Sequence, residues 1–215
     1  MRAALDACLA ANRKHSVDDV ASTIFPQSLW RLAKYNRHRL YQTYNDVVPR
    51  YRAMNKAQNG RGMYFERLVA FGSGPIDGNQ LEWIISQYTG NRAVRRTKLQ
   101  ASIFDPTRDH VSQAQLGFPC LQHLTFVPEG SSLSLNAFYA TQQLFDKAYG
   151  NWLGLSRLGH FMAHEMGLTF TRLNCFTGIE KLERIKKSDV SLRPVVQAAR
   201  ACVSTATSSP AVVIE

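Results

Sequence analysis

Cys120 is the residue of this sequence most suited to covalent chemistry. It follows Pro119 at the start of a predicted strand, where a side chain can face a cavity. A reactive thiol needs cationic neighbours, and Arg95-Arg96, ahead of another predicted strand, could supply that charge or grip a phosphate with planar guanidinium groups. Each also has a structural interpretation, because free cysteines are among the most buried residue types and the arginines could be surface groups.

Two other patterns in the sequence argue against a metal site and against a nucleotide-phosphate loop. His160 and His164 are four residues apart on a predicted helix, beside Glu165, and therefore share a face. Their order differs from the HExxH motif and no third ligand accompanies them, so we predict no metal site. Gly72 and Gly74 belong to no GxxxxGK[ST] or GxGxxG sequence, which argues against a nucleoside triphosphatase.

The composition is typical of a folded protein with an anionic partner. Of 215 residues, 45% are hydrophobic and 20% charged, and no apolar run approaches the roughly 20 residues of a membrane span. Lys and Arg number 26 against 16 Asp and Glu, which gives a net charge of +10 and favours nucleic acid or a phosphorylated metabolite. The four cysteines form no CxxC pair and the N-terminus has no uninterrupted apolar stretch, so we predict free thiols, no membrane association and a cytoplasmic location.

The predicted helices have to position these residues. Helical spacing covers 27–58 with a break at Pro49, 152–166 with Gly167 as its end, and 194–202. Asp77 is predicted to cap a helix over 78–88. The segment 27–58 has a basic face interleaved with tyrosines (Tyr35, Tyr41, Tyr44 and Tyr51), a combination that could bind single-stranded nucleic acid or form a solvated helix face. Both chain ends, 1–24 and 203–215, are predicted to be adaptable.

The predicted strands alternate with these helices. Strand-like runs cover 63–71, 97–104, 119–127, 133–139 and 168–177. The runs 119–127 and 133–139 are expected to pair antiparallel through a connection at 128–132. Helices mixed with largely antiparallel strands indicate one α+β domain, or a layered α/β/α domain, that spans 1–215.

The order of these pieces resembles the thymidylate synthase superfamily over about 59–183. The matching pieces are, in order, the strand with MYFERL, the helix near ID, the double arginine and its strand, FDP, the Pro-Cys strand, its hairpin partner, and GN before an apolar helix that ends in GL. The resemblance implies a layered α/β/α domain with a largely antiparallel sheet. It also implies alkylation of C5 of a pyrimidine nucleoside monophosphate, by methylation or hydroxymethylation, with methylenetetrahydrofolate as donor.

Three residues match the family's reactive and phosphate-binding positions. Cys120 matches the nucleophile that adds to C6 of the pyrimidine and makes C5 nucleophilic. Arg95 and Arg96 match the arginines that reach the nucleotide phosphate of the neighbouring subunit. The resemblance therefore implies a homodimer whose active sites share residues.

Further residues match the substrate-binding positions. Asn151 looks like the amide that reads the pyrimidine edge, Thr141 falls at a phosphate-binding serine, Gln143 at an aspartate, and Tyr64 in the tyrosine-containing strand. Ala140 replaces the family's arginine, which removes a phosphate contact and a cation. The alternative interpretation is therefore a protein of this fold that has lost turnover and binds a nucleotide or single-stranded nucleic acid.

Overall fold

A computed structural model describes residues 1–60, 62–112, 119–182 and 188–208. The helices are α1 (Arg2–Ala11), α2 (Val17–Ser22), α3 (Gln27–Leu32), α4 (Arg37–Met54), α5 (Lys56–Asn59), α6 (Tyr64–Val69), α7 (Gln80–Gly90), α8 (Pro106–Asp109), α9 (Tyr149–Met166) and α10 (Leu192–Ser208). The strands are β1 (Gln100–Ser102), β2 (Leu121–Glu129), β3 (Ser132–Gln143) and β4 (Thr169–Lys181). The chain is therefore α+β, as the sequence predicts.

The N-terminal segment is helical, so the prediction of an adaptable start is wrong. Leu5, Cys8 and Leu9 lie on one side of α1 and are buried in a small cluster with Leu192 and Val195 of α10. Helix α2 begins with a capping box, in which the Ser16 hydroxyl accepts from the amide of Asp19 while the Asp19 carboxylate accepts from the amide of Ser16. Both helices are too short for their apolar period to be evident in the sequence.

The predicted helix over 27–58 is divided at a different place. Lys34 and Tyr35 have positive φ values of 54° and 58° and separate α3 from α4, where Asn36 caps the new helix by accepting from the amide of Arg39. Pro49 lies inside α4 and does not end it. Tertiary packing of Tyr44 and Val48 therefore overrides the local cost of a helical proline.

The predicted strand 63–71 is a helix, α6, so this prediction is wrong. Its apolar residues Phe65, Leu68 and Val69 are buried with helical spacing, and the Glu66 carboxylate accepts from the amide of Met63 at 3.3 Å. The next helix begins later than predicted, because Asn79, and not Asp77, caps α7 by accepting from the amide of Glu82 at 2.9 Å. Asp77 instead lies in the preceding turn with a φ of 52°.

The four strands form a mixed sheet in the order β1-β2-β3-β4. The predicted hairpin is confirmed, since β2 and β3 pair antiparallel, and β1 pairs antiparallel with β2. Strand β4 runs parallel to β3 because the long helix α9 carries the chain back along the sheet. Gly167, at a φ of 65°, ends that helix as predicted.

Helices cover one face of the sheet. Helix α9 contacts β3 and β4 on that side, and α2 and α7 pack against α9. On the other side Phe138 and Phe176 stack on each other with ring centroids 5.6 Å apart and are 38% and 65% exposed. A third layer over these rings, as the α/β/α prediction requires, is not present in the described part of the chain.

Candidate functional site

The thiol of Cys120 lies beside the hydroxyl of Thr141 at one end of the sheet. The Sγ and Oγ1 atoms are 3.7 Å apart, and the backbone carbonyl of Cys120 accepts from the amide of Ala140 at 3.1 Å. A register shift between Leu121 and His123 lies next to Cys120 at the start of β2. Such bulges re-aim side chains near functional sites. The structure therefore brings together two residues that the sequence predicts for one site.

Tyr64 adds a phenol to the same place. It is the first residue of α6 and packs against the hydrophobic core, with its phenol near the backbone of Leu121 and of Cys120. Burial, aided by the negative charge that Cys120 would carry as a thiolate, raises the pKa of Tyr64 well above its ordinary value. The side chain is thus a neutral phenol at physiological pH.

A second set of polar side chains continues from Cys120 across β3 to β4. Tyr139 of β3 is fully buried, and burial raises its pKa, with smaller contributions from Tyr64, Cys175 and Cys120 around it. The thiol of Cys175 lies near the side chains of Thr177 and Trp152. These residues are the part of the site that the sequence interpretation missed, since apart from strand alternation no pattern marks them.

Asn151 and Gln143 lie on either side of the turn that leads from β3 into α9. This turn, Leu144–Ala148, is a π-helical segment, a conformation common at functional sites. The Asn151 side chain is 4% exposed and forms no hydrogen bond within the described residues, so its amide is available to a ligand. Gln143, the last residue of β3, is exposed beside Lys181 of β4. Between them Asp146 binds Lys14, with Oδ2 and Nζ 2.5 Å apart.

The double arginine lies at the opposite end of the sheet. Arg96 lines a cavity of about 510 Å³ near Pro128 and Gly130, at the hairpin between β2 and β3. The hairpin and Cys120 are separated by the length of β2, and this length is about 26 Å at 3.3 Å per residue. Within one chain, therefore, Cys120 and the Arg95-Arg96 pair are not brought together.

Two of the four tyrosines of the basic segment are buried, whereas Tyr35 is 55% exposed and packs edge-on against Trp30. Tyr41 and Tyr44 are 6% and 2% exposed and belong to the hydrophobic core. The Arg37 guanidinium is already engaged within the chain, because it forms ion pairs with Glu82 at 2.8 Å and with Glu165 at 2.9 Å. Five cations of this segment are exposed without an ion pair in the described part of the chain: Arg31, Lys34, Arg39, Arg50 and Lys56.

The two histidines of α9 have other neighbours. His160 packs its ring against Phe170 with centroids 4.9 Å apart, and His164 Nδ1 lies 3.2 Å from Glu165 Oε1. Among residues 1–60, 62–112, 119–182 and 188–208, no three His, Cys, Asp or Glu side chains cluster as a metal site requires. None of the described helices combines the length and the apolarity that a bilayer crossing needs.

Comparison with known proteins finds no match: no protein-family model matches the chain, and no curated protein is recognisably similar to it. The functional inference therefore rests on the side chains around Cys120 and on the resemblance of the motif order. Those side chains offer a thiol, two phenols and a hydroxyl at one end of the sheet, and the amides of Gln143 and Asn151 flank the turn that follows β3. Such a set can hold a flat, polar, neutral ring beside a nucleophile.

Proposed function

We propose that this protein is a thymidylate-synthase-like enzyme that alkylates C5 of a pyrimidine nucleotide. The observation that carries the proposal is the contact between Cys120 and Thr141, with the Tyr64 phenol near the backbone of Cys120. Tyr64 and Thr141, the outermost of these three residues, are 77 positions apart in the sequence, and the resemblance assigns all three to one site. Asn151, buried with an unoccupied amide, supports the same assignment.

In this mechanism the Cys120 thiolate adds to C6 of the pyrimidine and the electron pair of the C5–C6 double bond moves toward the ring carbonyl. C5 would then attack the methylene carbon of a second substrate, methylenetetrahydrofolate in the resemblance, with the electrons of a carbon–nitrogen bond moving onto nitrogen. After loss of the C5 proton and elimination of the folate amine, addition of hydride from the tetrahydrofolate (methyl product) or of hydroxide from water (hydroxymethyl product) would expel the Cys120 thiolate and restore the C5–C6 double bond. Unactivated C5 is a poor nucleophile, so covalent addition of the thiol is the step that makes the chemistry feasible.

We also propose that two chains share each active site. Arg95 and Arg96 lie about 26 Å from Cys120 of their own chain, along the length of β2. The uncovered sheet face with the stacked Phe138 and Phe176 rings is the surface on which a second copy can pack. A partner chain could then place its arginines beside the phosphate of a nucleotide bound at Cys120.

Release of tritium from C5-labelled dUMP, UMP, dCMP and CMP tests the reaction directly. Exchange at C5 requires covalent addition at C6, so we expect release from at least one nucleotide by the wild-type protein and none by Cys120→Ala. Cys202→Ala is the matched control, because that thiol is exposed on α10, far along the chain from the site. Equal release by wild type and Cys120→Ala would exclude this mechanism.

A second candidate function is binding without turnover. It is favoured by Ala140, which stands where the family has an arginine, and by the neutral side chains near Cys120: Tyr64, Tyr139 and Thr141. The exposed cations Arg31, Lys34, Arg39 and Arg50 could contact a phosphate backbone. For such a protein we expect affinity for single-stranded nucleic acid that falls steeply with salt, without any tritium release.

A further inference from the structure

Gln142 has a buried side-chain amide whose oxygen forms a hydrogen bond and whose nitrogen does not, among the residues that the structure describes. The residue lies on β3 between Thr141 and Gln143 and is 1% exposed. Its Oε1 accepts from the Thr177 hydroxyl at 3.5 Å, whereas its Nε2 has no hydrogen-bond partner in the described part of the chain. Buried amide donors are nearly always satisfied in proteins, so an unpaired one calls for a ligand or a water molecule.

Strand pairing places this amide at the same end of the sheet as Cys120. The Thr177 hydroxyl that donates to Gln142 belongs to the β4 residue paired with Tyr139 of β3. Tyr139 is paired in turn with Leu121 of β2, the residue after Cys120. Gln142 therefore lies at the end of the sheet that carries the thiol, one residue from Thr141, which contacts Cys120.

The chemistry of the amide restricts its ligand. Since Oε1 is engaged, the group that remains is a neutral N–H donor, which matches a neutral acceptor such as a ring carbonyl. Phosphate and carboxylate are better matched by guanidinium groups. Tyr139 Oη, also buried without a partner in the described residues, adds a second donor at the same end of the sheet.

We infer that Gln142 is a specificity-determining residue, whose Nε2 donates a hydrogen bond to a carbonyl oxygen of the substrate's pyrimidine ring. This inference rests on the proposed function. It assigns to Gln142 a role separate from that of Asn151, whose amide lies across the π-helical turn. The side chain contacts the substrate and takes no part in bond making.

Gln142→Met tests the inference, because methionine has nearly the same shape and lacks the donor. We expect calorimetric affinity for the preferred nucleotide, chosen among dUMP, UMP, dCMP and CMP, to fall about tenfold, as loss of one hydrogen bond predicts. Stability to urea should stay equal or rise, since an unpaired buried donor is removed. Gln197→Met on the exposed face of α10 is the control and should change neither quantity.

The outcomes separate the inference from the proposed function. If the wild-type protein binds none of the four nucleotides, both are wrong. If the wild type binds one and Gln142→Met binds it with the same affinity, only the role of Gln142 is wrong. Lower stability without loss of affinity would make Gln142 a structural residue, and Gln142→Leu, which also lacks the donor, gives an independent second measurement.

Discussion

Arg67 and Asp109 form an ion pair that is completely removed from solvent. Arg67 Nη1 donates to Asp109 Oδ2 at 2.6 Å and to the carbonyl of Ile103 at 2.8 Å, and Nη2 donates to Asp109 Oδ1 at 2.8 Å. The pair joins α6, which carries Tyr64, to α8 and to the chain after β1. Burial alone would raise the pKa of Asp109, but the hydrogen bonds and charge of Arg67 outweigh it and hold that pKa below its usual value.

Breaking this pair should be costly. We expect Arg67→Met or Asp109→Leu to lower the free energy of unfolding by about 3–5 kcal/mol, because each leaves an uncompensated buried charge. The double variant Arg67→Met/Asp109→Leu should regain much of the loss. Urea unfolding measures these changes, and additive losses in the double variant would contradict the coupling.

The same pair should make stability sensitive to acid. The pKa of Asp109 is lower in the folded state than in the unfolded state, so its contribution is present above about pH 4 and is lost as the pH falls through the folded pKa. In Asp109→Asn the stability below pH 4 should therefore depend less on pH. Asp46→Asn is the control, since Asp46 is exposed on α4, and an identical acid profile for Asp109→Asn and wild type would contradict this assignment.

At the scale of elements, α9 approaches α2 closely because it carries glycines where the two helices meet. A Cβ on Gly154 would lie 2.7 Å from the carbonyl oxygen of Ala21, and one on Gly150 would lie 2.6 Å from Cβ of Val20. This contact brings α2 onto the helix that follows the candidate site. These glycines lower the helix propensity of α9, but they allow α2 and α9 to pack closely.

Gly154→Ala should consequently destabilise the protein although alanine favours helices. We expect a loss of about 1–3 kcal/mol from the forced separation of α2 and α9. Gly90→Ala at the end of α7, where an added Cβ meets nothing within 4 Å, is the matched control and should leave stability equal or higher. Thermal unfolding of both variants compares them, and equal effects would mean that α2 and α9 can separate without cost.

The sequence predicts the elements whose signals are long or specific. Helix α9 with Gly167 at its end and the β2–β3 hairpin are predicted correctly, because fifteen or more residues share one period and turn residues mark the limits. The prediction from sequence fails at α6, because a run of six residues with Phe65, Leu68 and Val69 fits both the helical and the strand period. For the site, Cys120, Thr141 and Tyr64 could be brought together by resemblance, whereas Gln142 depends on a buried contact with Thr177 that no spacing encodes.

At the scale of the whole molecule, the sheet has a thiol at one end and arginines at the other. A single chain cannot use both on one mononucleotide across about 26 Å. If sites are shared between chains, Cys120→Ala mixed with Arg95→Ala/Arg96→Ala should recover tritium release that neither variant has alone. No recovery in a mixture that has been unfolded and refolded together would contradict shared sites.

The exposed aromatic face gives a physical test of the same assembly. Phe176→Asp should prevent a second copy from packing on the sheet, because it places a charge in the middle of the apolar contact with Phe138. We expect light scattering to give the mass of two chains for wild type and of one chain for the variant. Val196→Asp, at an exposed valine of α10, is the control, and a monomeric wild type would exclude the dimer.

The parallel pairing of β3 with β4 sets an order of assembly for the site. Strands β2 and β3 are joined by a tight hairpin, so Cys120 and Thr141 meet through a local event, which is fast in folding. Strand β4 can join only after the chain has passed through the whole of α9, and only then does Thr177 reach Gln142. During synthesis, therefore, Cys120 and Thr141 come together before Thr177 reaches Gln142.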